Sequence, residues 1–311
     1  MNLSVLLSSI VFTLSIIFSS VSSLANIGII NFVIASIITW IIEWLLRVIK
    51  GNQSFEFSSK RTLFIDIIYV CIAVVLLLHL VAIFSVLLSS LSAARIENIS
   101  IYVLLILLGM GCFMSFSIDP TSMIHIGRII SYLIIGMILI ILFNIPYNML
   151  TLELGTISIV EVLKILPICL SHTLYILYLK FQYVKESLIG NIIGSLFLVL
   201  LMIFISSTDL EIHNHEVTTL ISSMTLIGTG SLTERIDVFI ICMILAVEAY
   251  QICIIGNILG KLCVSNIGHY VMKLIVGSVV IVGILIGLSP FTLEMILVFT
   301  GLLTSLFAVI I

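Results

Sequence analysis

The polar and apolar positions of this chain follow neither the two-residue alternation of a half-buried strand nor the one-sided stripe of a surface helix. Apolar residues instead run on for a whole segment, on every face, and short polar connections interrupt them. Runs of 18 or more such residues predict membrane-spanning helices. Ten segments can be marked: 3–20, 27–49, 63–91, 99–117, 128–146, 158–180, 187–207, 232–259, 270–288 and 292–311. A membrane β-barrel would need ten-residue segments with a polar face, and the sequence has none. The expected class is an all-α polytopic membrane protein forming a single integral membrane domain over 1–311.

Composition sharpens this. Of 311 residues, 62% are hydrophobic and 9% charged, with mean hydropathy +1.42, whereas soluble domains carry roughly 25% charged residues. The N-terminal run MNLSVLLSSIVFTLSIIF lacks a positive leader and reads as the first span rather than a removed signal. The six cysteines lie in or beside apolar runs without a CxxC pair, as small hydrophobes do. Direction follows from the basic residues. With the N-terminus inside, nine fall on the cytoplasmic side and three (Arg95, Lys164, Arg235) outside, which predicts an even number of spans and both termini cytoplasmic.

The stretch GTGSLTERIDVF (228–239) ends the longest connection. Ser231 and Glu234 have capping-box spacing after the turn-forming Gly228 and Gly230. Glu234 and Asp237 suit the positive end of the eighth helix, and Arg235 can snorkel outward. Local physics thus accounts for a sharp helix start.

This stretch and its continuation, LTERIDVFIICMILAVEAYQICIIGNIL, also resemble the eighth helix of the B subunit of bacterial spore nutrient-germinant receptors. HIGRIISYLII (125–135), with Arg128, resembles that family's polar entry into its fifth helix. LKILPICL (163–170), with Pro167, resembles its sixth-helix start. The ordered set covers about residues 20–290. The family resembles the amino acid–polyamine–organocation transporter superfamily. The resemblance therefore implies a five-plus-five inverted-repeat, amino acid transporter-like fold with halves 1–150 and 151–311, and a small molecule held at interruptions of the first and sixth helices. An odd number of spans per half is what inverted topology requires.

The resemblance directs attention to FSSVSSLANIG (18–28), whose Ser19, Ser20, Ser22 and Ser23 permit close approach or form a plain exit loop. It also directs attention to Ser171, His172, Thr173 and Tyr175 beyond Pro167. Proline removes a helix bond, so these side chains either contact a ligand or repair freed carbonyls. The glycine and acid that the family carries here are missing from SHTLYILY. Two ionisable residues lie deep, His79 and Glu248. Such groups face a bundle interior or water and are functional candidates, for ion coupling or, uncharged, for packing. Glu248 is expected to approach the inner interface within reach of Lys261 or Lys185, while Glu43, Asp66 and Glu294 are expected at membrane edges.

No catalytic motif or phosphate loop appears, nor a basic stripe for nucleic acid, so an enzyme is not expected and neither is a metal or other cofactor. The resemblance implies a nutrient-sensing subunit in a spore's inner membrane. Its ligand would be an amino acid or similar nutrient, and its partners a larger soluble-plus-membrane subunit and a lipoprotein. A gradient-driven amino acid transporter and a purely structural assembly subunit are the alternatives.

Overall fold

A computed structural model describes residues 2–18, 28–50, 63–93, 98–143, 155–179, 183–207, 236–262, 266–286 and 290–310. Among them are eleven helices: α1 (Leu3–Phe18), α2 (Ile29–Lys50), α3 (Leu63–Ala93), α4 (Asn98–Ser115), α5 (Pro120–Phe143), α6 (Ile159–Leu170), α7 (Thr173–Tyr178), α8 (Val184–Ser207), α9 (Ile236–Leu262), α10 (Asn266–Ile286) and α11 (Pro290–Ile310). In lipid, a helix satisfies every backbone group within its own segment, which is why uniformly apolar runs fold this way. Four stretches, Ile29–Ile49, Ile67–Leu88, Ile159–Tyr178 and Cys242–Leu262, are each long and apolar enough to cross a bilayer. The chain is an integral, polytopic membrane protein.

The ten marked segments correspond to these helices, with α6 and α7 sharing one. The fifth begins earlier than expected. Asp119 accepts from the Thr121 amide at 3.2 Å, and Pro120 takes the first helical position, where its missing N–H costs nothing. Arg128 therefore lies two turns inside α5, not at its entry, and donates to Ser4 Oγ of α1 at 3.2 Å.

Sidedness is inverted relative to a soluble protein. Ile106, Leu107, Met110 and Met114 of α4 and Tyr270 and Leu274 of α10 are exposed, whereas Ser8, Ser9, Asn31, Glu43, Glu248, Gln251 and Asn257 are fully buried. Small residues let the helices close around that interior. On α8, a Cβ on Gly190 would come within 2.5 Å of Ser9 Cβ, and one on Gly194 within 2.8 Å of Thr13 Cβ. On α9, Gly256 and Gly260 press in the same way on Cys112, Ser115 and Phe116. Both pairs are GxxxG motifs, in GNIIG and GNILG, a spacing that brings membrane helices into backbone contact. The asparagine inside the second motif is also used. Asn257 donates to the Ser115 and Ile118 carbonyls, each at 2.6 Å, closing the end of α4.

Which helices touch follows a pattern. α1 lies against α8 and α5, and the α6–α7 pair lies against α2 and α11. α4 lies against α9, and α10 against α3; α3 meets α11, and α9 meets α5. Further contacts join α2 to α8, α3 to α9 and α4 to α10, and α1 also touches α9. The starts of two parallel pairs are tied alike. Glu186, in the first turn of α8, accepts from the Asn2 amide ahead of α1 at 3.3 Å. Glu161, in the first turn of α6, accepts from the Gly28 amide ahead of α2 at 3.4 Å. Gly155 (φ +73°) brings its backbone so close to Gly28 that a Cβ would stand 2.9 Å from the Gly28 Cα. Its left-handed conformation admits little else.

The tightest of these approaches makes a test. A Cβ on Gly301 of α11 would overlap the Pro167 carbonyl oxygen of α6, so Gly301→Ala must push two helices apart. The expected destabilisation is about 1–3 kcal/mol, read by thermal unfolding in detergent. Gly136→Ala, where the new methyl meets nothing within 4 Å, should change stability by less than about 0.5 kcal/mol.

Candidate functional site

The α6–α7 rod changes its hydrogen bonding in the middle. Position 167 has no N–H to give, and one turn later the α-ladder tightens. The amides of Ser171, His172, Leu174 and Tyr175 bond the carbonyls three residues back, at 2.9–3.2 Å. Ser171 (φ −58°, ψ −18°) and His172 (φ −62°, ψ −24°) have 3₁₀ dihedrals. A short 3₁₀ stretch inside a helix is a common hinge. Two hydroxyls stitch the discontinuity: Ser171 Oγ donates to the Pro167 carbonyl at 3.3 Å and Thr173 Oγ1 to that of Leu170 at 2.7 Å. Both bonds lie within the rod, whereas the carbonyl that Pro167 leaves without its α-helical donor is that of Leu163, one turn earlier.

His172 turns the other way, into a network drawn from three other helices. Its Nδ1 lies 2.6 Å from Glu43 Oε1 of α2, and its Nε2 lies 3.0 Å from Ser9 Oγ of α1. Both ionisable residues are buried, with His172 1% and Glu43 0% exposed. Asn191 of α8 donates to the second Glu43 oxygen at 3.0 Å. Thr13 Oγ1 donates to the Ser9 carbonyl at 3.0 Å and stands 3.4 Å from Asn191 Oδ1, to which Ser195 Oγ donates at 3.3 Å.

Hydrogen accounting orients this network. Ser9 Oγ has one hydrogen, and it goes to the Ser187 carbonyl at 2.7 Å. The Ser9–His172 contact therefore needs its hydrogen on Nε2. The Glu43–His172 contact needs another, carried by the imidazole or by the carboxyl. Either arrangement leaves the pair neutral overall, as an interior with few other charges demands.

Beside His172 stands an aromatic wall. Tyr175 stacks on Phe12 of α1 (ring centroids 5.2 Å apart) and on Tyr178 (6.1 Å). The Tyr175 and Ser8 hydroxyls share a short hydrogen bond. The Tyr250 hydroxyl of α9 joins this corner, because a Cβ on Gly127 of α5 would lie 2.5 Å from both it and Ser8 Cβ. Lys261 Nζ lies 4.7 Å from the centre of the Tyr178 ring, within cation–π range.

The second deep histidine occupies a separate cluster. His79 Nδ1 lies 3.1 Å from Thr300 Oγ1 of α11, and its Nε2 lies 2.8 Å from Gln251 Nε2 of α9. Glu248, one turn before Gln251, is fully buried, and neither carboxyl oxygen has a hydrogen-bond partner among the described residues. It was expected near Lys185 or Lys261 at the interface. The structure pairs it with neither, and Lys261 sits over Tyr178.

Of the sequence-selected residues, the structure gathers His172 and Tyr175 at the hinge and sets Ser171 and Thr173 into the helix backbone beside them. Ser19, Ser20, Ser22, Ser23, Ser231, Glu234 and Arg235 lie outside the described residues, as does the side chain of Asp237. Glu43 corrects the expectation of an interfacial acid. It sits about two turns from the end of α2 and faces inward, while its neighbours Trp44 and Leu45 are exposed. Also missed were Ser8, Ser9 and Thr13 on α1 and Asn191 on α8. Their signal was available as polar residues at helical spacing facing a GxxxG pair. No family model, curated protein or solved structure matches the chain.

The network predicts an asymmetry at Glu43. In Glu43→Gln the amide can donate to His172 Nδ1 and accept from Asn191, so stability should stay near the parent's. Glu43→Leu strips both partners at once and should cost about 3–5 kcal/mol. Denaturation of the purified variants in one detergent checks the difference.

Proposed function

We propose that the chain is a small-molecule-sensing membrane subunit of the spore germinant receptor kind, recognising a nutrient of the amino acid class between its helices. The observation that carries this reading is the 3₁₀ interruption at Ser171–His172. It lies in the protein interior, and side chains of α1, α2 and α8 converge on it. Interrupted helices around a central site are how transporter-like folds hold amino acids.

The helix contacts support the five-plus-five arrangement. Counting α6–α7 as one rod and advancing every rod by five, the α1–α8 contact becomes α6–α2, α1–α5 becomes α6/α7–α11, α4–α9 becomes α10–α3, and α3–α11 becomes α9–α5. The carboxylate ties at Glu186 and Glu161 join the same two corresponding pairs, although the acid lies on α8 in one and on α6 in the other, so acid and amide trade places. The α1–α9 contact has no comparably strong counterpart.

In this reading the ligand's apolar part lies against Phe12 and Tyr175, and its polar groups meet the Ser8, Tyr175 and Tyr250 hydroxyls. Occupancy favours one packing of the hinge over another. Partner subunits, a larger one with soluble and membrane parts and a lipoprotein, would pass that shift on in the spore's inner membrane. The acid that family resemblance leads one to expect near the sixth helix comes, in this reading, from Glu43 across the interface. A gradient-driven transporter is the second reading, favoured by the deep unpaired carboxyl of Glu248.

The deciding experiment measures binding of a panel of radiolabelled amino acids to the protein purified with its co-expressed partners. Saturable binding is expected, weakened about five- to tenfold in Tyr175→Phe, which removes one neutral hydrogen bond of about 1 kcal/mol. Uptake into liposomes would move the assignment to the transporter. A folded complex that binds none of the panel would leave the structural role.

A further inference from the structure

We infer that Glu248, Gln251 and His79 form a binding site for a single monovalent cation between α9, α3 and α11. This inference does not rest on what the His172 side of the bundle binds.

The argument starts at a backbone carbonyl. Thr300 Oγ1 gives its only hydrogen to the Leu297 carbonyl at 3.0 Å. It must therefore accept from His79, which places the imidazole hydrogen on Nδ1. A neutral His79 then presents a lone pair at Nε2, and only the nitrogen end of the Gln251 amide can satisfy it. That contact is 2.8 Å. The amide is thereby oriented, and its oxygen is turned away from the histidine without a donor.

Glu248 lies three residues earlier on the same helix, a spacing that sets side chains about 5–6 Å apart on one face. Its two oxygens also lack donors. Three orphan acceptors thus stand within one turn, on residues with no exposed surface, where each unsatisfied group is expensive. Acceptors without donors describe a site for a positive charge and not for an anion. The charge count selects valence: one carboxylate neutralises one monovalent ion, and a divalent ion would leave a net buried charge.

Little else competes for the role. Among the described residues of the helices packed on α9 (α1, α3, α4, α5 and α10), the buried titratable side chains are Tyr69, His79 and Cys112. Arg128 of α5 is engaged with Ser4, and Lys273 of α10 lies over the Phe116 ring. On α9 itself Tyr250 faces the Ser8 corner. The shared chemistry admits two occupants. A sodium- or potassium-sized ion would bridge the three oxygens. A proton on Glu248 would point to the Gln251 oxygen and complete a one-way chain of donors to the Leu297 carbonyl.

The test uses the full chain, purified in choline chloride, with thermal unfolding followed against NaCl, KCl and pH at constant ionic strength. Saturable stabilisation by an alkali cation over choline, lost in Glu248→Gln, establishes the alkali occupant. If the alkali series is flat, the proton predicts stability that falls as pH rises, because the folded state then holds one more proton than the unfolded state. That slope, too, should vanish in Glu248→Gln. Gln251→Met keeps the acid but removes one oxygen, so it should weaken the alkali response several-fold or shift the pH response. Should Glu248→Gln fail to fold, the parent and Gln251→Met are compared instead, by binding of radioactive sodium for the alkali occupant and by the pH series for the proton. Parent and variants that superimpose in both series, with no bound sodium, overturn the site.

Discussion

A polar hydrogen inside an apolar bundle has nowhere to go except to another atom of the protein, and this constraint organises the interior described here. Both deep histidines are set by a hydroxyl whose one hydrogen is already committed to a backbone carbonyl: Ser9 to Ser187 and Thr300 to Leu297. In water such a hydroxyl would swing freely between partners. In a medium without competing donors, its commitment decides which ring nitrogen carries the hydrogen, and the decision propagates outward. At His172 it fixes how Glu43 and Asn191 must be arranged. At His79 it fixes which way the Gln251 amide faces.

Close packing is the condition for this logic. Ser9 can reach the Ser187 carbonyl only because α8 presents Gly190 and Gly194 to α1, and Pro167 can lie against α11 only because Gly301 has no side chain. Membrane helices gain little from hiding apolar surface from lipid, so van der Waals contact and interhelical hydrogen bonds must supply their association. Glycines and serines serve both needs. They admit the partner backbone, and they bring its carbonyls within reach of short hydroxyl side chains.

The membrane class and nearly all helices were legible in the chain, because a run of 18 apolar residues has few other solutions. Which face of each helix turns inward was much less legible. A helix apolar on all sides has no stripe to read, so Glu43 was expected at a membrane edge, although Trp44 and Leu45 are exposed and the acid faces inside. Ser8, Ser9 and Thr13 were passed over for a similar reason. Serine and threonine are tolerated throughout membrane helices, and only the partner helix tells which of them carry hydrogen bonds between elements. The early start of α5 was readable from Asp119-Pro120, a cap followed by a first-position proline. The resemblance drew attention to Arg128 instead.

The two histidine clusters differ in one respect that separates their roles. Around His172 the described hydrogens and acceptors close on one another: imidazole, carboxyl, amide and the Ser9 and Ser195 hydroxyls, from four helices. A closed network of that kind holds parts in register, and here it holds the hinge of the α6–α7 rod against α1, α2 and α8. Moving that segment would break several of these bonds together. Around His79 the chain of donors runs one way and ends with acceptors left over on Gln251 and Glu248. An interior that satisfies one buried acid so fully and leaves another with two bare oxygens is chemically uneven. Closure across four helices makes Glu43 a fixture, and Glu248 and Gln251, buried as deeply, have no such closure among the described residues.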